Sequence, residues 1–223
     1  YIEFKEPWLN PKGFEQIVYD VLANTQDMNI IEKPEPEDTP FYINNGTINV
    51  GNTNGKVILQ TFSLESLVRV AEVFQGKVPM CFLLWKGTGA TDLTYDDPLG
   101  YASFINLGVK YKAHFIGPCI AGAPNDYPEL DQPWQDYLIH RAKMKNHPYT
   151  FDTYDQMAKY FGQYNFGVAD GMFNPPYLDA LFTNHSDMSI NYMITHGWRK
   201  SPASQTLVDA REVLRKLGYL DNN

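Results

Sequence analysis

The sequence predicts an α/β protein with a parallel sheet, and three observations carry that expectation. Short apolar runs alternate with amphipathic helical stretches along the chain, the pattern of strands joined by crossover helices. Several of those runs, such as Met80 to Trp85, are nearly continuous in apolar residues, as expected of strands covered on both faces. Polar residues recur where the strands end: Glu3 and Lys5, Gln60, Trp85, His147 and Tyr149, Thr183 and Asn184. Six such units leave an open doubly wound sheet or part of an eight-fold barrel. No G-x-G-x-x-G or G-x-x-x-x-G-K-[ST] follows a strand, which disfavours the nucleotide-binding form, while polar strand ends favour the barrel.

The elements follow in order. Residues 1–5 read as a strand, and 11–23 as a helix with Phe14, Ile17, Val18, Val21 and Leu22 at helical spacing. Residues 57–62 form the next strand. Ser63 then caps a helix striped by Leu64, Leu67, Val68, Ala71 and Phe74. A third strand at 80–85 is followed by a polar loop and a helix near 100–107. A fourth strand at 113–120 precedes a helix at 134–144. The fifth strand, 146–151, leads to a helix at 153–161 capped by Asp152 or Thr153. The sixth strand, 179–183, precedes a short helix at 187–194, and a last helix spans 204–217, ending at Gly218. The stretch 32–55, rich in Pro, Asn, Gly and acid, reads as an excursion within one domain covering 1–223.

Composition narrows the function. The 223 residues carry 18 Lys and Arg against 26 Asp and Glu, a net charge of −8. That balance opposes general nucleic-acid binding, which needs a basic face, and no run approaches the length of a membrane span. Cys81 and Cys119 sit in apolar runs and read as buried thiols, with a disulfide between neighbouring strands as the alternative. The acids Asp96, Asp97, Asp126, Glu129 and Asp131, with Glu32, Glu35, Glu37 and Asp38, read as solvated loop charge. His114 and His140 read as structural or surface histidines. Asn45-Gly46-Thr47 and Asn184-His185-Ser186 match the glycosylation triplet, a pattern common by chance.

Two constellations carry possible chemistry. Glu3 and Lys5, two apart on a strand, share a face; the carboxylate suits a hard cation and the ammonium a phosphate oxygen, although an internal ion pair accounts for the same pattern. His147 and Tyr149 stand in the same relation, either as an acid–base group beside a polyol contact or as a hydrogen-bonded histidine beside a core aromatic. No H-x-x-x-H, C-x-x-C or G-x-S-x-G occurs, which makes zinc and serine hydrolases poor readings.

Four strand-end motifs, in order, resemble one family. Tyr1-Ile2-Glu3-Phe4-Lys5-Glu6-Pro7-Trp8 resembles the E-[IF]-K strand of glycerophosphodiester phosphodiesterases, running on into Pro-Trp as in the periplasmic bacterial branch. Leu59-Gln60-Thr61-Phe62 resembles its Q-[SC]-F strand, and His147-Pro148-Tyr149-Thr150 its H-P-Y-T strand. Leu181-Phe182-Thr183-Asn184-His185-Ser186-Asp187 is similar to the closing [LI]-F-T-[DN]-x-P-D, with Ser186 in place of proline and Ala180 in place of the preceding glycine.

The resemblance implies a TIM (β/α)8 barrel, present here as roughly its last six units, and metal-dependent hydrolysis of glycerophosphodiesters to glycerol 3-phosphate and an alcohol. It implies Ca²⁺ or Mg²⁺ as cofactor, Glu3 as a metal carboxylate and Lys5 as a phosphate-stabilising cation, with Gln60, Phe62 and Tyr149 lining the cleft. The family's H-R-G, P-E-N-T, E-x-D and H-D segments, with both catalytic histidines, would precede Tyr1, so the 223 residues alone are expected to be inactive. His147 belongs to the branch motif and not to that pair. The branch implies a periplasmic or secreted protein. Two other functions fit the same sequence: a TIM-barrel glycoside hydrolase, and a non-catalytic relative that binds phosphodiesters or glycans.

Overall fold

The computed structural model describes residues 1–24, 31, 42–44, 47–49, 57–85, 95–125, 128–163, 178–197 and 215. Among these the chain forms two compact units, residues 1–184 and 185–223.

The first unit is built on a five-stranded parallel sheet. Its strands are β1 (Ile2–Glu3), β4 (Leu59–Thr61), β5 (Met80–Leu84), β6 (Phe115–Pro118) and β7 (Lys145–Asn146), adjacent in that order. A separate antiparallel pair, β2 (Tyr42–Asn44) and β3 (Thr47–Asn49), falls within the predicted excursion. Helices α1 (Phe14–Asn24), α2 (Leu64–Phe74), α3 (Pro98–Lys110) and α4 (Pro133–Arg141) lie between successive strands of the sheet, and α5 (Tyr154–Ala158) follows β7. A π-helical turn at Lys159–Gln163 extends α5, completing the predicted 153–161 helix in altered form.

Local chemistry explains most boundaries. Ser63 is extended and its hydroxyl accepts the Ser66 N–H, starting α2, while Gln75 in the left-handed region ends it. The Asp97 carboxylate accepts from the N–H groups of Leu99 and Gly100 at 2.9 Å, and Pro98 fills the first turn. Asp97 is therefore the cap of α3 and not solvated loop charge, and the helix starts earlier than hydrophobic spacing predicts. Gln156 reciprocates the Thr153 cap of α5 by accepting the Thr153 N–H.

Two apolar clusters lie on opposite faces of the sheet. Met80, Phe82 and Leu84 of β5 join Leu67, Val70, Phe74, Phe104 and Ile116 on the helix-covered face; the Phe82 and Phe104 rings stack 4.2 Å apart. Each fully buried Leu or Phe there contributes roughly 2 kcal/mol of transfer free energy. Cys81, Leu83 and Phe115 occupy the other face with Ile58, Phe62 and Tyr149. Both cysteines are buried and free, so no disulfide joins them. Ile17 and Val21, predicted within the apolar stripe of α1, are 58% and 61% exposed.

The sheet curls strongly. β1 and β7 stand at opposite edges, four strand spacings apart, which in a flat sheet is about 19 Å. Yet the Tyr1 hydroxyl hydrogen-bonds Nδ1 of His147, and the Tyr1 ring meets Phe182 edge-on at 4.5 Å.

The predicted fifth and sixth strands are less regular than expected. β7 stops at Asn146 because Pro118 of β6 has no N–H to give the His147 carbonyl. The His147 and Tyr149 N–H groups still donate to the Ile116 and Pro118 carbonyls, and pairing resumes as a single bridge between Cys119 and Tyr149. Residues 179–183 form no regular strand. They run beside 146–151, with the Asp179 N–H on the Asn146 carbonyl, the Phe182 N–H on the Pro148 carbonyl and the Phe151 N–H on the Phe182 carbonyl.

Among the described residues of the second unit stands α6 (Ser186–Thr195), where a helix at 187–194 is expected. At its end the rings of Tyr192 and His196 stack 4.0 Å apart. The helix expected at 204–217 lies outside the described residues apart from Arg215.

Candidate functional site

A cavity of about 380 Å³ opens where the parallel strands end, lined by Glu3, Gln60, Phe62, Leu83, Tyr149, Thr150, Phe182, Thr183 and Asn184. Its position follows from the fold. β1 and β4 pair with Glu3 beside Gln60, so a carboxylate and an amide emerge together from neighbouring strands. Phe62, two residues beyond Gln60, shares its face, as does Leu83, two beyond Cys81.

Gln60, Phe62 and Tyr149, expected to line a cleft, meet in this one cavity with Glu3, expected as a metal carboxylate. Lys5 lies outside the lining but points its ammonium at Glu3, with Nζ 3.7 Å from Oε2, and its side chain is 72% exposed. The shared face predicted for Glu3 and Lys5 is thus realised as a loose ion pair. Tyr149 is held from two sides: its hydroxyl donates to the Leu84 carbonyl at 3.0 Å, and its ring stands edge-on to Phe62. Oε1 of Gln60 is buried and accepts no hydrogen bond from the described residues, which leaves an unsatisfied oxygen at the cavity wall.

His147 lies outside the lining. It is 7% exposed, its ring stacks on Phe115 at 4.1 Å, and burial lowers its imidazole to about 4, with the nearby Lys145 charge acting in the same sense and Asp179 opposing. It is a neutral structural histidine, and of its two sequence readings the hydrogen-bonded one fits.

Leu83, Thr150 and Phe182 complete the lining, and strand-end polarity does not single them out. The alternation along β5, with Cys81 and Leu83 on one face, is the signal that places Leu83. Thr150 and Phe182 lie inside the motifs quoted above. Thr183 and Asn184, noted as strand-end polar residues, are held by the loop after β7: Asp152 accepts from the Asn184 backbone N–H at 2.9 Å and from its Nδ2 at 2.8 Å. The amide nitrogen that a glycan would require is therefore engaged in the cavity wall. The Asn45 triplet falls outside the described residues in part.

The acids and histidines away from the cavity also take definite places. Asp131, expected as solvated charge, is fully buried. With Asp136, also fully buried, it receives the Nδ2 of Asn146, at 2.8 and 3.0 Å. Glu129 pairs with Lys159 at 3.1 Å and accepts from the Tyr160 hydroxyl. Asp126 and the acids at 32, 35, 37 and 38 lie outside the described residues. His114 is fully buried, accepts the Met80 N–H, and is lowered by burial to about 3.

No family model and no curated protein matches the chain. The residues of the site offer one carboxylate, one nearby ammonium, amide and hydroxyl groups, and an aromatic wall. For a divalent cation, Glu3 and the unsatisfied Gln60 Oε1 are oxygen donors of the hard type such an ion takes. Among the described residues, however, no group of three or more His, Cys, Asp or Glu is placed to hold a metal, so these residues supply part of a cation site.

Proposed function

We propose that the protein hydrolyses glycerophosphodiesters to glycerol 3-phosphate and an alcohol, on a (β/α)8 barrel of which this curled parallel sheet forms the larger part. The carrying observation is the convergence of Glu3, Gln60, Phe62 and Tyr149, from three separate motifs, on one cavity at the carboxyl ends of parallel strands. That is where barrel enzymes and open α/β sheets place their ligands. The approach of Tyr1 to His147 and Phe182 across the sheet supports the curvature a barrel requires.

In the proposed reaction a water gives up one proton as its oxygen bonds to phosphorus, one ester P–O bond breaks, and the departing alkoxide takes up a proton, so the net change is addition of one water. A bound Ca²⁺ or Mg²⁺ would polarise the phosphoryl oxygens. Glu3, with Gln60 Oε1 beside it, would contribute to holding that ion. Lys5 adds positive charge where the phosphoryl oxygens gain negative charge; its present partner is Glu3 at 3.7 Å, so ligand entry redistributes an existing pair. Phe62, Tyr149 and Phe182 give the alcohol moiety an apolar wall. The described lining holds no histidine, so the proton-transfer groups are assigned to none of these residues.

Glu3 is the one carboxylate among the described lining residues, which speaks against a glycoside hydrolase needing two facing carboxyl groups. The test is turnover of glycerophosphocholine by the full-length protein with Ca²⁺ or Mg²⁺ and after chelation. Metal-dependent release of glycerol 3-phosphate is expected, with Glu3→Gln lowering it about a hundredfold and weakening the response to added metal. Binding without turnover would indicate a non-catalytic phosphodiester-binding relative, and an unchanged metal response in Glu3→Gln would remove Glu3 from the cation site.

A further inference from the structure

The wall of the cavity formed by Tyr149, Thr150, Thr183 and Asn184 is stitched together by side chains outside it. Asn125, 8% exposed, uses both ends of its amide on one residue: Nδ2 donates to the Thr150 carbonyl at 3.0 Å and Oδ1 accepts the Thr150 N–H at 3.1 Å. Gln156 ties the same two loops again, donating to the Ala123 carbonyl at 2.9 Å while accepting the Asp152 N–H at 2.8 Å. Asp152 then passes the constraint to the next segment through its two bonds from Asn184.

The last link differs from the others in kind. A carboxylate offers acceptors only, whereas a primary amide can present either its oxygen or its NH₂. Facing Asp152, Asn184 must turn Nδ2 toward the carboxylate, because its oxygen would meet oxygen. The backbone N–H of the same residue occupies the second carboxylate oxygen, so Asn184 is held at two points, its amide through Nδ2. Its remaining polar atom, Oδ1, has no partner among the described residues and belongs to a residue of the cavity wall.

We infer that Asp152 is a positioning residue that fixes the amide of Asn184 so that the cavity presents a hydrogen-bond acceptor there, selecting ligands that carry a hydroxyl donor. The inference rests on the proposed hydrolysis for the identity of that donor, a glycerol hydroxyl; the locked amide rests only on the hydrogen bonds above. In Asp152→Asn the new NH₂ at position 152 can pair with Asn184 Oδ1, which releases the amide to turn over and show a donor to the cavity. Asn184→Asp alone sets carboxylate against carboxylate. The double variant exchanges the two groups: the amide introduced at position 152 donates to the carboxylate introduced at position 184, whose second oxygen restores the acceptor.

The experiment is calorimetric titration of full-length protein with glycerol 3-phosphate, alongside KM and kcat for glycerophosphocholine. Each single variant is expected to weaken binding and raise KM about tenfold, the worth of one such hydrogen bond, with kcat changing less. The double variant Asp152→Asn/Asn184→Asp is expected within about threefold of wild type. Single variants that bind like wild type, or a double variant as weak as either single, would overturn the inference. Thermal melts accompany each titration, and a double variant that regains its melting temperature without regaining affinity likewise overturns it. A wild-type protein that neither binds nor turns over these ligands defeats the hydrolase reading alone. In that event, exchange of the Asn184 side-chain amide protons by NMR decides the rest: slowed exchange in wild type, lost in Asp152→Ala, upholds the locked amide, and equal exchange in both refutes it.

Discussion

His140 Nε2 lies 2.8 Å from Asp179 Oδ2, and its Nδ1 lies 3.3 Å from Asp136 Oδ2, so one imidazole bridges two carboxylates on either side of β7. Asp179 also accepts the Asn146 N–H at 2.8 Å and faces Lys145 Nζ at 3.4 Å. The bridge thus anchors α4 to the irregular segment that runs on to Phe182 and Thr183 in the cavity wall.

The charge state of that bridge can be measured. Burial alone would lower the His140 imidazole, but its hydrogen bonds to Asp136 and Asp179 outweigh it and raise the group from 6.5 to about 10. The folded state therefore holds this proton more tightly than the unfolded one. Its stabilising effect is complete below about pH 6.5 and is lost as pH rises through about 10. NMR titration should show His140 protonated throughout pH 5–9, while His147, lowered to about 4, stays neutral over most of that range. A His140 midpoint near 6.5 would contradict the bridge. His140→Ala is expected to cost about 2–3 kcal/mol in urea unfolding at pH 7, since it strands the fully buried Asp136.

Asp131 carries the opposite linkage. Burial raises its carboxyl well above the ordinary range and the neighbouring Asp136 charge adds to this, whereas Asp136 has His140 beside it. Burial raises the Asp136 carboxyl as well, but its hydrogen bond and charge contact with His140 oppose the rise, so the stronger upward push falls on Asp131. A carboxyl with a raised folded value binds its proton more tightly in the native state, so stability falls as pH climbs from 3.8 toward that value. Asp131→Asn keeps an acceptor for Asn146 Nδ2 and removes the titration. It should flatten this part of the stability–pH curve and stabilise the protein by about 1 kcal/mol or more at pH 8. A variant with the wild-type pH slope would show that Asp131 does not hold the proton.

The contrast between these groups shows what a linear sequence can and cannot display. β5 and α2 are legible because burial imposes a local pattern: a five-residue apolar strand, and Leu67 and Phe74 of the expected stripe buried behind a Ser63 cap, although Val70 and not Val68 or Ala71 joins them. Glu3, Gln60, Phe62 and Tyr149 are legible because each sits at a strand end, and parallel strands bring their ends together. Asp131 is not, since an acid in a polar loop looks solvated, and its burial depends on Asn146, fifteen residues away. The same holds for Asp152 and Asn184, paired across 32 residues with no local signal. The irregular path at 179–183 is equally hidden, because its hydrogen bonds run to the backbone of Asn146, Pro148 and Phe151, far away in the chain.

The two thiols are expected to be inert in the native state. Burial raises Cys81 far above its ordinary value and Cys119 to about 12, and Cys119 also donates to the Pro128 carbonyl at 3.2 Å. Thiolate is the reactive form, so neither should react with iodoacetamide at pH 8 unless the protein unfolds. Rapid labelling of one cysteine in the native protein would show that its side of the sheet opens.

Gly117 tests the packing on the face that leads to the cavity. A Cβ at this position would lie 2.7 Å from Leu83 Cδ2, 2.9 Å from Cys81 Sγ and 3.1 Å from the His147 carbonyl oxygen. The first two neighbours are side chains from β5, the strand paired with β6; the third is backbone and cannot rotate aside. Gly117→Ala should therefore cost about 1–3 kcal/mol as an overpacked site, although alanine is otherwise tolerated in strands. Leu83→Ala on its own should also destabilise, by loss of buried volume. The two together should cost less than the sum of the singles, because truncating Leu83 removes the shortest clash. Recovery should remain partial, since Cys81 and the His147 carbonyl still crowd the new methyl. Additive losses in a double-mutant cycle would mean that the contact with Leu83 is not what the new methyl strains.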